Sequence, residues 1–164
     1  TGTTSGTHAD IGIQQGSGSG PQPTFSRLRN LWAHIQGSTG TSGGTITVYG
    51  CNTGLVTVPT LIENHLGFRA VDAGNWLGSV ANGTTESTVD SAVANSDGAD
   101  YRLSATYDAT TFKAYVNGVL AGSITTNLPT GSSTMEFLKI GSKSSSVAAD
   151  QMMVRNFRAR VKVS

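Results

Sequence analysis

The sequence is poor in cysteine and in charge. Cys51 is the single cysteine among 164 residues, so no intrachain disulfide and no multi-cysteine zinc site can form. Charged residues make up 13% of the chain, well below the roughly 25% that is usual for globular domains, and the formal net charge is only +1. Because a nucleic-acid binder needs a concentrated positive field, we expect no nucleic-acid partner.

Long apolar runs and helical periodicity are also missing. No hydrophobic stretch approaches the roughly 20 residues of a membrane helix, so no membrane insertion is expected. No long segment shows a 3.6-residue apolar period, which argues against a helical body. There is neither an initiating methionine nor a signal-like segment, which is typical of a processed chain or a fragment.

The composition is instead rich in glycine, with 21 residues, and in serine and threonine. Residues 1–23 have the composition of a flexible linker. The alternative is an arm that docks on a neighbouring subunit, since Ile11 and Ile13 alternate and could add a strand. The predicted organisation is therefore an N-terminal arm over 1–23 and one folded domain over 24–164.

Alternating apolar residues predict strands through the rest of the chain. Leu31, Ala33 and Ile35 alternate, which favours a strand and leaves a short helix as the alternative. "GTITVYGC" is a strong strand signal, and Pro59 limits "GLVTVPTLI" to an edge or a strand end. Residues 65–93 predict two short strands around a Gly/Asn turn. Many short strands with frequent turns indicate an all-β, two-sheet antiparallel β-sandwich of the jelly-roll type.

The clearest segment is "YRLSATYDATTFKAYVNGV", residues 101–119. One face collects Tyr101, Leu103, Ala105 and Tyr107, and the polar residues between them fall on the other face. Asn117-Gly118 predicts a type I′ hairpin turn, which needs positive φ at both central residues.

Residues 67–91 and 99–131 resemble the second half of concanavalin A-like, laminin-G-like jelly rolls, above all those of tailed-bacteriophage structural proteins. The resemblance rests on "YVNGV" at 115–119 followed by "TTNLP" at 125–129. It implies a virion component, such as a head decoration, a fibre or a receptor-binding tip, and such proteins are commonly trimeric.

The predicted function is thus a non-enzymatic virion surface protein, assembled in the host cytoplasm, that aids adhesion through weak multivalent glycan binding. Its expected partners are copies of itself in a homotrimer, major capsid or tail proteins, and a host surface glycan. The alternative is a carbohydrate-binding module of a secreted bacterial protein.

No catalytic residues are predicted. A glycosidase of this superfamily needs two facing carboxylates, and its "ExDxxE" strand motif is absent. The glutamates fall in three unrelated segments, at Glu63, Glu86 and Glu136. His8, His34 and His65 are isolated, so zinc spacing is absent as well.

No cofactor is predicted, although calcium is the one ion to weigh. Lectin and laminin-G relatives often hold Ca²⁺ with loop carboxylates and carbonyls. Turn capping is the favoured role for the loop residues here, because no "DxDxDG" spacing appears. The residues concerned are Asp72, Asn75, Asp90, Asp97, Asp100 and Asp108.

Two groups of side chains are candidates for contact with a glycan or a partner. Trp76, beside Asn75 in the loop-like "DAGNWLG", could stack on a sugar, and the alternative is that it packs beneath its loop. Arg158, Arg160 and Lys162 form an outward row that Lys113 and Arg102 could join, facing acidic sugars or another subunit's carboxylates. The alternative for this row is a solvated sheet face. Trp32 is expected in the core or at a subunit interface.

Overall fold

A computed structural model describes residues 8–13, 24–36, 45–51, 64–71, 73–96, 98–131, 136–143 and 153–161. These residues form eleven strands and one short 3-10 turn, Phe25–Arg27. None of the described segments is a helix long and apolar enough to cross a membrane. The strands are β1 His8–Ile13, β2 Leu28–Gln36, β3 Thr45–Cys51, β4 His65–Val71, β5 Asn75–Ala81, β6 Glu86–Ala94, β7 Asp100–Tyr107, β8 Phe112–Val116, β9 Val119–Ile124, β10 Glu136–Lys143 and β11 Met153–Val161.

The strands form two antiparallel sheets packed face to face. The six-stranded sheet has the order β1-β10-β3-β4-β5-β6, and the five-stranded sheet has the order β11-β2-β7-β8-β9. Distant parts of the sequence are therefore neighbours, since β11 pairs with β2 and β10 lies between β1 and β3. The predicted all-β sandwich is confirmed.

The first strand corrects the predicted domain boundary. Residues 8–13 form β1 and pair with β10 of the same chain, from His8 opposite Lys143 to Ile13 opposite Leu138. The prediction that the arm over 1–23 lies outside the sandwich is wrong for this segment, because its alternating residues extend the chain's own sheet. Residues 1–7 and 14–23 lie outside the described part.

The segment from His65 to Ala94 contains three strands where two were predicted. Two turns divide it, one before β5 and one over residues 82–85. The short strand β5 was missed because it is buried on both faces: Trp76, Gly78, Ser79 and Val80 are all buried. Such a strand lacks the alternation that identifies a half-exposed one. The segment with Pro59 lies outside the described residues.

The core lies between the sheets and uses the predicted inward rows. Tyr101, Leu103, Ala105 and Tyr107 are buried, as the alternation predicted. On the facing sheet Phe68 packs against Phe112, with ring centroids 6.3 Å apart. The largest fully buried side chains are Trp76, Phe25, Phe68, Phe112, Leu28, Ile35, Leu66, Leu103 and His65.

The hairpin turns follow the side chains that the sequence places there. Asn117 and Gly118 have φ of 54° and 83°, so the predicted turn with two positive φ values is confirmed. The turn after β7 is held by Asp108, whose Oδ1 accepts hydrogen bonds from Thr110 N, Thr110 Oγ1 and Thr111 N. Asn82 makes the same three contacts with Thr84 and Thr85.

We expect Asp108 to make stability depend on pH in acid. The Thr110 hydroxyl, followed by the N–H groups of Thr110 and Thr111, lowers the pKa of Asp108 below its usual value. A lowered folded-state pKa stabilises the fold above the unfolded pKa, about 4, and this stabilisation is lost as pH falls through the folded pKa. Urea unfolding at pH 7 and pH 3 should therefore show that the free energy of unfolding decreases less between these pH values in Asp108→Asn than in the wild type.

The reciprocal variant is the control. Asparagine keeps the accepting Oδ1, as Asn82 demonstrates in the matching turn, so Asp108→Asn should fold normally at pH 7. Asn82→Asp should increase the loss of stability between pH 7 and pH 3. If the free energy of unfolding decreased equally from pH 7 to pH 3 in the wild type and both variants, the proposed contribution of Asp108 to acid sensitivity would be wrong.

Candidate functional site

The predicted contact residues lie on two different sheets. Asn75 and Trp76 are on β5 of the six-stranded sheet, whereas Arg158 and Arg160 are on β11 of the five-stranded sheet. Both arginines are exposed, as predicted. Lys162 lies outside the described residues. The two groups therefore do not form one site.

Trp76 does not offer a face to a sugar. Its side chain is completely buried, and its ring packs against Tyr101 with centroids 5.4 Å apart and planes inclined by 55°. The structure thus corrects its assignment as a glycan platform, because β5 turns the indole into the core; the alternative of internal packing applies. Asn75 is partly buried, and its Nδ2 donates to Asp90 Oδ2 at 3.1 Å.

The outer face of the five-stranded sheet is where polar and aromatic side chains collect. Its strand register aligns one residue from each strand in a row: Arg158, Trp32, Ser104, Tyr115 and Leu120. Trp32 is partly buried, and the Arg158 guanidinium carbon lies 5.8 Å from the ring centroid, within cation–π range. Of the two places expected for Trp32, the core is wrong, since its neighbours Leu31 and Ala33 occupy the inward positions; a subunit interface stays a prediction.

A second row runs beside the first. It consists of Arg160, Asn30, Thr106, Lys113 and Ser123, again one residue from each strand. Arg160, Lys113, Thr106 and Ser123 are exposed, and Asn30 is partly exposed. The two rows together are called the cationic face below.

On the other side of the first row lies a polar depression of about 340 Å³, lined by His34, Asp100, Arg102 and Asn117. The hairpin turn after β8 closes one end of it. Asn117 N donates to Arg102 O at 2.8 Å, and Asn117 Oδ1 accepts from Arg102 N at 3.0 Å. These paired bonds fix the turn against β7 and so set the shape of the depression.

Charged groups are organised around Asp100 at this depression. Its Oδ1 lies 3.1 Å from Arg155 Nε and 3.8 Å from His34 Nε2. The His34 ring in turn lies beside Trp32, with centroids 6.5 Å apart. Imidazole, carboxylate, guanidinium and amide groups together both donate and accept hydrogen bonds, which is what a hydroxyl-rich ligand requires.

A separate polar network lies on the six-stranded sheet. Arg69 holds Glu86 through two bonds, Nε to Oε1 at 2.9 Å and Nη2 to Oε2 at 3.1 Å. The hydroxyl of Ser79 donates to the same carboxylate and lies 2.8 Å from His65 Nε2. Because the hydroxyl proton is given to Glu86, His65 Nε2 must be the donor to Ser79. This is the reverse of a base activating a nucleophile.

The candidate calcium ligands are engaged in other contacts. Asp90 accepts from Ala92 N and Asn75 Nδ2, and these bonds lower its pKa. Asp108 caps its own turn, and Asp100 is paired with Arg155. Within the described ranges no three acidic, histidine or cysteine side chains meet as a metal site. Asp72 and Asp97 lie outside those ranges.

His34, Asp100 and Asn117 were not predicted from the sequence as parts of one site. An available signal was the alternation of β2: once Leu31, Ala33 and Ile35 face inward, Trp32 and His34 must face outward. What the sequence did not show was that β2 pairs with β7, which brings His34 opposite Arg102.

The chain resembles known proteins in sequence and in fold. Residues 29–158 match the family model described as the concanavalin A-like lectin/glucanases superfamily. No curated protein sequence matches the chain. Among solved structures, the Bacillus licheniformis β-glucanase is similar with a TM-score of 0.60 at 12% identity, over 84% of this chain and 67% of that enzyme.

Two galectins are also similar in fold. Galectin LEC-6 of Caenorhabditis elegans has a TM-score of 0.50 at 15% identity, over 96% of this chain and 91% of its own. Sheep galectin-11 has a TM-score of 0.52 at 11% identity, over 86% of this chain and 99% of its own. At these identities the likeness extends to the fold alone.

Proposed function

This chain belongs to the concanavalin A-like lectin/glucanases superfamily, and we propose that it binds carbohydrate on the outer face of its five-stranded sheet. The observation that carries the proposal is the depression lined by His34, Asp100, Arg102 and Asn117, with Trp32 beside His34. Ligand sites typically combine an apolar surface with a few fixed polar groups. Here the indole supplies the apolar surface, and the four polar side chains can match sugar hydroxyls.

Binding without hydrolysis is the better supported activity. A glycosidase needs two carboxyl groups facing one bond, about 5–9.5 Å apart depending on mechanism. Four carboxylates with described contacts each have a different structural partner: Glu86 is held by Arg69, Asp90 by Asn75 and Ala92 N, Asp100 by Arg155, and Asp108 by its own turn. Asp100 is the only carboxylate that lines the described depression. We therefore propose a non-enzymatic domain.

The test is a glycan array followed by calorimetry on the best ligand. Trp32→Ala should remove the apolar surface and His34→Ala a polar contact, and each should weaken binding by about tenfold, as loss of about 1.4 kcal/mol implies. Thr88→Ala is the matched control, because Thr88 is exposed on the other sheet. Absence of any carbohydrate ligand, or unchanged binding by both variants, would refute the proposal.

A place on a tailed-bacteriophage virion remains a prediction. It is supported by the resemblance carried by "YVNGV" and "TTNLP", and it would put many copies of a weak glycan site on one particle, where avidity replaces single-site affinity. The alternative, a module of a secreted bacterial protein, shares the same site. Light scattering separates them: a homotrimer is expected for the virion protein, and a monomer for the module.

A further inference from the structure

We propose that the glycan bound by this face is anionic, carrying carboxylate or sulfate groups, and that it extends from the depression across the cationic face. The inference rests on the proposed carbohydrate site and adds the class of ligand. Its basis is the charge of the face and the alignment of that charge by the strand register.

The charge of this face is far from that of the whole chain. The chain has 11 Lys and Arg residues against 10 Asp and Glu residues. Among the described strand residues, however, the outer face of the five-stranded sheet carries five cations and one acid, Asp100, which already pairs with Arg155. A second acid, Asp108, stands in the turn after β7 and interacts electrostatically with Lys113. The cations are Arg102, Lys113, Arg155, Arg158 and Arg160. A positive surface on a nearly neutral protein favours an anionic ligand.

The cations are spaced for an extended ligand. Arg160 on β11 and Lys113 on β8 lie in one row and are separated by three strand spacings, about 14 Å at roughly 4.8 Å per strand. Between them the row contains only Asn30 and Thr106, an amide and a hydroxyl. A polymer with charges at intervals can contact both cations while its hydroxyls meet the groups between them.

The polar middle of the row favours a glycan over an acidic protein. Protein interfaces usually have an apolar, aromatic-rich centre from which charged residues are depleted. The second row instead contains no apolar residue between Arg160 and Ser123. The aromatic residues of the face, Trp32 and Tyr115, and the exposed Leu120 lie in the first row beside it. Arginine is suited to this ligand, because its planar fork can bind a carboxylate or sulfate group through two parallel hydrogen bonds.

The experiment compares polygalacturonate with its methyl-esterified form, which has the same backbone without the charge. The wild type should bind the charged polymer at least about tenfold more tightly, and this preference should shrink as salt rises from 50 to 500 mM, since exposed charges are screened within about 10 Å at 0.1 M. Poly-glutamate is included as a polyanion that is not a sugar.

The variant Lys113→Gln/Arg160→Gln should lose most of the preference for the charged polymer, about tenfold, and keep its affinity for the neutral one. The control Lys113→Arg/Arg160→Lys keeps the charge and should keep the preference. Equal binding of both polymers by the wild type overturns this inference and leaves the carbohydrate proposal standing. Binding of neither polymer, with an empty glycan array, overturns both, and equally tight binding of poly-glutamate overturns the glycan assignment.

Discussion

Trp76→Ala is expected to lower the free energy of unfolding by about 3–5 kcal/mol, the usual cost of truncating a buried tryptophan. The indole is wholly buried and packs on Tyr101. The same Tyr101 hydroxyl donates to Ala94 O at 2.7 Å and accepts from Ser96 N at 2.8 Å. Removing the indole therefore leaves a cavity and loosens the ring that anchors the end of β6. Urea denaturation at pH 7 measures the change.

Trp76→Phe separates packing from hydrogen bonding. Trp76 Nε1 is buried without a hydrogen-bond partner among the described atoms, a situation that costs about 1–3 kcal/mol. Phenylalanine keeps an aromatic ring and removes this donor, so Trp76→Phe should lower the free energy of unfolding much less than Trp76→Ala does. Glycan affinity should be unchanged in Trp76→Phe. If Trp76→Ala kept its stability but lost glycan binding, the indole would be a sugar platform after all.

Glu86→Ala is expected to destabilise the fold by about 3 kcal/mol, because it strands a largely buried guanidinium. The side chains of Arg69 and Glu86 are only 15% and 17% exposed. The substitution also removes the acceptor of the Ser79 hydroxyl, which links the carboxylate to His65. Chemical denaturation of the variant, at the same pH as the wild type, gives the size of the effect.

A double-mutant cycle gives the control for this pair. Arg69→Ala/Glu86→Ala should cost clearly less than the sum of the two single changes, because contacting residues in one network are coupled by about 0.5–3 kcal/mol. Additive costs would show that the two residues act independently. If the folded single variants still bind glycan, the network of Arg69 and Glu86 does not contribute to binding at the cationic face.

Strands β7 and β5 differ in how well their structure could be predicted from the sequence. The clean alternation of β7 predicted its buried residues correctly, and the Asn-Gly pair predicted the type of turn after β8. In β5 the sequence predicted a loop around Trp76, because glycine and asparagine stand beside it, and left open whether the indole binds a sugar or packs inward. The chain there is a strand buried on both faces, and its Gly78 lies so close to Ala114 that an added Cβ would be 2.5 Å from the alanine Cβ.

The candidate site shows the same division. The outward direction of Arg158, Arg160 and Lys113 follows from strand alternation, and the sequence predicted it. Trp32, Arg158 and Tyr115 form one row, and His34 and Asp100 line one depression, because strands up to about 125 residues apart in the chain are neighbours. The entropic cost of pairing such strands is that of closing a long loop, and local residue preferences do not specify the pairing.

The amino-acid order by itself therefore determined the all-β class, the turns and the face of each half-exposed strand, because side-chain direction in a strand repeats every two residues and is a local property. Only the tertiary structure decided which strands are neighbours, that residues 8–13 join the sheet, and that the tryptophan near a turn is internal while the one in a regular strand borders the site. Strand pairing, and the burial of a strand on both of its faces, depend on contacts between distant segments, and no local pattern contains either.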